Sequence, residues 1–250
     1  MDRESVRSVV WDRLREVAVP DSRFHLDFSM YIPDYPGSGA IHATLRGLSF
    51  YEGLRAVFVT PDNNLESLRA ALLREGRPLL MTTYGILRGF LYFPPGSVPG
   101  PSIEFAASLD GAERFGTPYD LDALTTLRTL DFLVTGASAV NRDGIRFGKG
   151  HGYFDVEWAL LREIGLVGEE SPVVACVHDV QYLDEDLPAL PTDTLVDWVV
   201  TPTRTIRVRR MQTKPAGIRW DVLDPVLLAN VPPLGELKAA QERKKSVRPR

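Results

Sequence analysis

Between residues 55 and 83 apolar runs alternate with one amphipathic segment, and this alternation limits the fold more than any other feature of the chain. The run "RAVFVTP" (55–61) reads as a short buried strand, "NLESLRAALLREG" (64–76) as a helix closed by Gly76, and "RPLLMTT" (77–83) as a second strand. Strand, helix, strand in that order is the unit of a parallel sheet covered by helices. The unit recurs downstream. "LDFLVTG" (130–136), a helical pattern after residue 152 and "SPVVACVHD" (171–179) repeat it, and "VDWVVTPTRTIRV" (196–208) supplies one or two more strands. Such sheets bind ligands where strands end and helices begin, which directs the search for chemistry to residues 131–155.

That interval contains "RFGKGHGYFDVEWALL" (146–161), with glycines at 148, 150 and 152 around Lys149 and His151. Alternate glycines let the backbone turn its N–H groups outward. Val156, Ala159, Leu160 and Ile164 follow at helical spacing, so the loop feeds a helix N-terminus, which favours an anion such as phosphate. Taken alone, the glycines suit a flexible turn before an amphipathic helix equally well. Neither standard nucleotide fingerprint fits: Tyr153 stands where a dinucleotide motif needs glycine, and Gly150 where a P-loop needs Ser or Thr.

Length and composition restrict the rest. The 250 residues, 44% of them hydrophobic, suffice for one large core, and a formal charge of −4 argues against a surface devoted to nucleic acid. No apolar run approaches the ~20 residues of a membrane span, and "MDRESVRSVVWDRLRE" reads as an amphipathic helix without a signal-peptide core, so a cytoplasmic protein is expected. Cys176 is alone in "VVACV" and is expected to be an inert buried thiol; the four histidines lack zinc-ligand spacing. Residues 21–40 ("DSRFHLDFSMYIPDYPGSGA") read as an elaborated loop, 92–102 ("YFPPGSVPGPS") as a lid or hinge, and 239–250 as a basic disordered tail after a single domain spanning 1–238.

The series "FLVTGASAVNRDGIRFGKGHGYFD" and "VVACVHDVQYLDEDLPALPTDTLVDWVVTPTRTI" resembles the 5-formyltetrahydrofolate cyclo-ligase (methenyltetrahydrofolate synthetase) family, and more closely its branch of synthetase domain-containing paralogues. The resemblance runs from the first helix through "KPAGIRWDVL". It implies a three-layer α/β/α fold with a mostly parallel sheet, of the NagB/RpiA/CoA-transferase-like group. It also implies ATP- and Mg²⁺-dependent closure of 5-formyltetrahydrofolate to 5,10-methenyltetrahydrofolate. Carried over residue by residue, it places Arg3, Arg7, Arg146, Gly148, Lys149, Gly150 and Gly152 at the ATP phosphates, and Asp155 and Asp193 at the metal. Lys149 and Asp155 take catalytic roles, and Tyr153 and Gln181 contact the substrate. The folate side matches poorly. "TPDNNLE" (60–66) lacks the family's glutamate segment, "MTTYGILRG" (81–89) its proline, and Val156 replaces its arginine. Cyclo-ligase activity is therefore expected to be weak, with Tyr84, Arg88 or Tyr92 as replacement anchors, and a non-catalytic nucleotide-binding paralogue is the alternative. The branch's animal members carry an RNA-recognition module; its strand pattern does not follow residue 238, so nucleic acid is not an expected partner.

Overall fold

In a computed structural model, which describes residues 1–247, eleven short strands and nine α-helices are found. The strands are β1 (Val57–Val59), β2 (Leu79–Thr82), β3 (Phe90–Phe93), β4 (Thr117–Tyr119), β5 (Phe132–Thr135), β6 (Ala139–Asn141), β7 (Arg146–Phe147), β8 (Val173–Cys176), β9 (Tyr182–Leu183), β10 (Trp198–Val200) and β11 (Thr205–Arg207). The helices are α1 (Arg3–Leu14), α2 (Ile41–Arg46), α3 (Glu66–Arg74), α4 (Ile103–Ala107), α5 (Leu109–Phe115), α6 (Leu121–Thr125), α7 (Tyr153–Glu163), α8 (Pro225–Asn230) and α9 (Pro232–Val247).

Eight strands form the central sheet in the order β11-β10-β8-β5-β1-β2-β3-β4. The five from β10 to β2 are parallel, as the strand-helix-strand reading requires, and β11, β3 and β4 add antiparallel edges. Side chains alternate across this sheet, so Val57 and Val59 face one helical layer and Phe58 the other. The first face packs on α2 and α3 through Ile41, Leu45, Leu68 and Leu72; the second packs on α7 and α9 through Trp158, Leu161, Leu234 and Leu237. This is the expected α/β/α sandwich. Its two faces explain why the parallel strands read as unbroken apolar runs: both sides are buried.

A smaller sheet, β7-β6-β9, lies under α1. The local reason for α1 is legible: Asp2 caps Ser5 N–H at 2.8 Å, and Val6, Val10 and Leu14 recur every fourth residue against Ala139 and Phe147. β7 then delivers Arg146 and runs directly into the glycine loop.

Two sequence expectations change. α9 continues as a helix through residues 239–247 of the expected disordered tail, where Gln241 accepts from Trp220 Nε1 at 3.1 Å and donates to Glu163 Oε2 at 3.1 Å; residues 248–250 lie outside the described residues. Residues 92–102 comprise the end of β3 and its connection to α4, and none of them lines the cavity described below.

Candidate active site

The carboxyl ends of β1 and β5, the N-terminus of α7 and the side of α1 enclose a cavity of about 430 Å³. Asp131, which opened the interval singled out in the sequence, lies at the opposite end of β5. It binds Arg55 at 2.7 Å and the Arg55 N–H at 2.6 Å, tying β5 to β1.

Gly152 occupies the N-cap of α7 in the left-handed region (φ 71°) with no side-chain cap, so the first N–H groups of the helix are left to a ligand. Gly150, at φ 114°, reverses the chain just before it. Arg146 is 4% exposed; its Nη1 donates to Gly136 O at 3.2 Å, its guanidinium lies 4.6 Å from the centre of the Phe154 ring, and its buried Nε has no hydrogen-bond partner. A buried cationic donor without an acceptor costs energy unless something negative arrives. Lys149 makes no ion pair among the described residues. Its ammonium rests over the rings of Tyr84 (5.0 Å) and Tyr153 (5.8 Å), and burial pulls its pKa below the usual lysine value.

From α1, Arg7 Nε donates to Gly148 O at 3.0 Å and so fixes the glycine loop. Arg3 grips Asp193 bidentately, at 2.5 and 2.9 Å, and stacks 4.2 Å above Phe147. Asp155 accepts from Thr194 N–H at 2.8 Å through Oδ1, leaving Oδ2 without a hydrogen bond among the described residues. Burial, reinforced by the Asp193 charge, pushes the Asp155 carboxyl up. No set of three or more His, Cys, Asp and Glu side chains among the described residues is arranged to hold a metal. Two carboxylates alone still suit Mg²⁺, which keeps waters and takes phosphate oxygens to complete its shell.

All the residues assigned to the phosphates and metal line this cavity, and so does Tyr153. Gln181 does not. Its amide is spent internally, accepting from His178 N–H at 2.7 Å and donating to Ala137 O and Ser138 O, so it shapes the β8–β9 connection from outside the cavity lining. Of the three replacement anchors, Tyr84 lines the cavity, whereas Arg88 pairs with Glu113 and Tyr92 packs on Tyr119. His151 also lines it, exposed, with Nε2 3.2 Å from Ser29 O. Cys176 is fully buried, away from the cavity, and burial pushes its thiol up, as an inert thiol requires.

Sequence reasoning missed Asp62 and Glu157. Glu157 is 3% exposed in the middle of α7, and burial pushes its carboxyl up to about 8. Its signal was present: Glu157 falls four residues after Tyr153 and three before Leu160, on the apolar face of the helix. Asp62 sits just past the end of β1, where parallel sheets place ligands.

The segment at 21–40 supplies the outer wall through Phe24 and Tyr31. Asp21 holds it by accepting from Arg23 Nη2 (2.6 Å), Arg23 N–H (2.7 Å) and Asn63 Nδ2 (2.7 Å), bonds that keep its carboxyl well below the usual range, with the Arg23 side chain the largest cause. A depressed carboxylate stabilises the fold above its unfolded pKa of about 4 and loses that contribution as pH falls. The stability gap between wild type and Asp21→Asn is expected to be wide at pH 6 and to narrow at pH 3, measured by urea unfolding. A gap that stays constant would show that Asp21 acts through its shape alone.

Comparison with known proteins agrees with this architecture. A profile of the 5-formyltetrahydrofolate cyclo-ligase family matches residues 37–202. The methenyltetrahydrofolate synthase domain-containing protein of Homo sapiens is 30% identical over 97% of this chain, and that of Mus musculus likewise; the chain spans 63% and 65% of their lengths. The 5-formyltetrahydrofolate cyclo-ligase of Mycolicibacterium smegmatis is 36% identical over 81 residues, covering 32% of this chain and 38% of its own. The solution structure of Aquifex aeolicus 5,10-methenyltetrahydrofolate synthetase superposes with a TM-score of 0.51 at 17% identity, covering 85% of this chain and 95% of the other, and shares the fold. With the matched segment running from the turn before α2 to the end of β10, across most of the central sheet and the whole glycine loop, the chain belongs to the 5-formyltetrahydrofolate cyclo-ligase family.

Proposed function

We propose that the chain binds ATP with Mg²⁺ at the N-terminus of α7 and uses it in a ligase reaction of the cyclo-ligase type. The reaction is formation of 5,10-methenyltetrahydrofolate from 5-formyltetrahydrofolate, or the same chemistry on a related substrate admitted by the altered wall. The observation that carries this reading is the unpartnered buried Nε of Arg146 beside a helix start without a side-chain cap. Both are acceptor-seeking, and they line one cavity.

In this reading the α7 N–H groups, Arg146 and Lys149 hold the phosphate oxygens, and the low-dielectric setting strengthens each contact. Asp155, through its free Oδ2, and Asp193 would hold the metal. Arg3 already neutralises Asp193 and in this role shares that carboxylate with the cation. Bound ATP and Mg²⁺ would supply phosphorylation of the formyl oxygen, so that the neighbouring side-chain amine can bond to the formyl carbon while that carbon's bond to the phosphorylated oxygen breaks and phosphate leaves. Tyr84 and Tyr153, with Lys149 across both rings, form the face on which the substrate lies.

The test pairs a nucleotide-dependent melting shift with spectrophotometric detection of methenyltetrahydrofolate. ATP with Mg²⁺ is expected to raise the wild-type Tm, and Lys149→Ala to weaken ATP binding about tenfold or more, the loss of one charge-assisted contact, without unfolding the chain. Equal calorimetric affinity in wild type and variant would remove Lys149 from the site, and the absence of any ATP·Mg²⁺ shift would overturn the reading. Turnover of 5-formyltetrahydrofolate is expected to be weak; efficiency near that of typical cyclo-ligases would show that the folate wall was rebuilt.

A further inference from the structure

Residues 215–227 form a wall of the cavity that lies beyond the family profile, which ends at residue 202. The phosphate and metal contacts give this wall no role. Ile218, Val222, Val226 and Leu227 line the cavity from it, together with Val156 and Ala159 of α7. Val156 and Ala159, three residues apart, share one face of the helix, and Val156 stands where the resemblance expects arginine. A charge at the edge of the site has thus been exchanged for aliphatic surface, on the helix that opens at the glycine loop.

The wall is fastened at several points. Trp158 Nε1 donates to Pro215 O at 2.8 Å, Lys214 Nζ to Asp197 Oδ2 at 2.6 Å, and Ile218 N–H to Glu163 Oε1 at 3.1 Å. Ile218, Leu223 and Leu227 pack on the core cluster that contains Trp158. Val222 and Val226 nevertheless stay 61% and 62% exposed, and Leu190, on the loop that carries Asp193, is 51% exposed; all three line this cavity. Exposed aliphatic side chains gathered at one cavity mark a place for an apolar ligand surface.

Position identifies that surface. At 1.5 Å per residue, Val156 and Ala159 lie roughly 6 and 10 Å along α7 from the Gly152 cap, the reach of a nucleotide from its phosphates through one sugar to its base. The charged side chains of the wall are engaged with each other or with the backbone. Arg219 grips Asp221 through Nε at 2.9 Å and Nη2 at 2.7 Å, and Asp224 Oδ1 caps α8 by accepting from Val226 N–H at 2.8 Å. What remains for a ring is aliphatic surface, which touches its faces and leaves its edge unread.

We infer that residues 215–227, with Val156 and Leu190, form an aliphatic clamp for the flat base of the bound nucleotide, holding purines with little discrimination between them. This deepens the proposed function and rests on it for the nucleotide itself. Most of the clamp comes from residues outside the matched cyclo-ligase segment, so it is an addition to that segment.

Calorimetry with ATP, GTP and inorganic tripolyphosphate, each with Mg²⁺, tests the clamp; tripolyphosphate keeps the phosphates and lacks sugar and base. Wild type is expected to bind ATP and GTP within about threefold of each other, and both at least about tenfold more tightly than tripolyphosphate. The double variant Val222→Ser, Val226→Ser is expected to lose about tenfold in affinity for both nucleotides and to keep its affinity for tripolyphosphate. Both valines are exposed, so the ligand-free melting temperature should hardly move. If the double variant does not fold, each single variant decides, with a loss of about threefold expected. Unchanged ATP affinity in a folded variant, an equal loss for tripolyphosphate, or tripolyphosphate binding to wild type as tightly as ATP would overturn the clamp. A preference above about tenfold for one purine would also overturn it, since a wall that reads faces cannot supply one. Failure of all three ligands to bind would overturn the nucleotide reading itself, whereas ATP binding that ignores the valines would sink the clamp alone.

Discussion

Asp155→Asn is expected to lower Mg²⁺-dependent turnover by about a hundredfold or more, equivalent to ~2.7 kcal/mol of transition-state stabilisation, while ATP affinity changes much less. The carboxamide oxygen can still accept from Thr194 N–H, the one hydrogen bond Asp155 makes, so the local fold has no reason to change. What is lost is the negative charge on the second oxygen, which has no partner among the described residues and lies in the cavity beside Asp193. A metal ion contributes most when charge moves onto a leaving phosphate, so its loss falls on turnover more than on binding. The measurement is steady-state phosphate release with magnesium varied, beside calorimetric ATP binding. Full turnover in Asp155→Asn would make the residue a structural partner of Thr194 and nothing more.

Trp158→Ala is expected to cost about 3–5 kcal/mol of stability, a large share of the roughly 5–15 kcal/mol that holds a domain together. Trp158 is completely buried on α7, facing the central sheet, and its Nε1 donates to Pro215 O at 2.8 Å across 57 residues of sequence. The Lys214 ammonium stands 5.2 Å from its ring and bonds Asp197 Oδ2 and Ser171 O, both at 2.6 Å. Removing the indole empties the core and strands Pro215 O, which borders the cavity. Trp158→Phe retains most of the volume and should cost much less, so urea unfolding of the pair separates the cavity from the hydrogen bond. Similar losses in both variants would assign the energy to the Nε1 contact.

The parallel core and the glycine loop that opens α7 were legible because both are written in short-range pattern. Apolar runs at 57–59 and 79–82 around an amphipathic 66–74 admit little except a covered parallel pair, and glycines before an amphipathic helix leave N–H groups facing outward wherever that helix lies. The edge strands β3 and β4 were not legible. "FLYF" and "TPY" carry too little pattern to reveal their antiparallel pairing with each other and, through β3, with β2. Periodicity states that a residue is buried and leaves open what it is buried against. Gln181 and Glu157 show the difference: both are polar and almost wholly buried, yet one spends its hydrogen bonds closing a turn while the other keeps an oxygen free in the cavity. Arg3 and Asp193, 190 residues apart, met as an ion pair that spacing does not encode. The basic segment 239–247 became helix because α9 begins on the buried Leu234 and Leu237, and contacts to Trp220 and Glu163 carry it on. Sequence determined where the chain turns, what it buries and where an anion would be welcome, since those depend on neighbours a few residues away. Tertiary structure decided which buried polar groups are satisfied and which still seek a ligand, because that balance is struck between residues brought together only by folding.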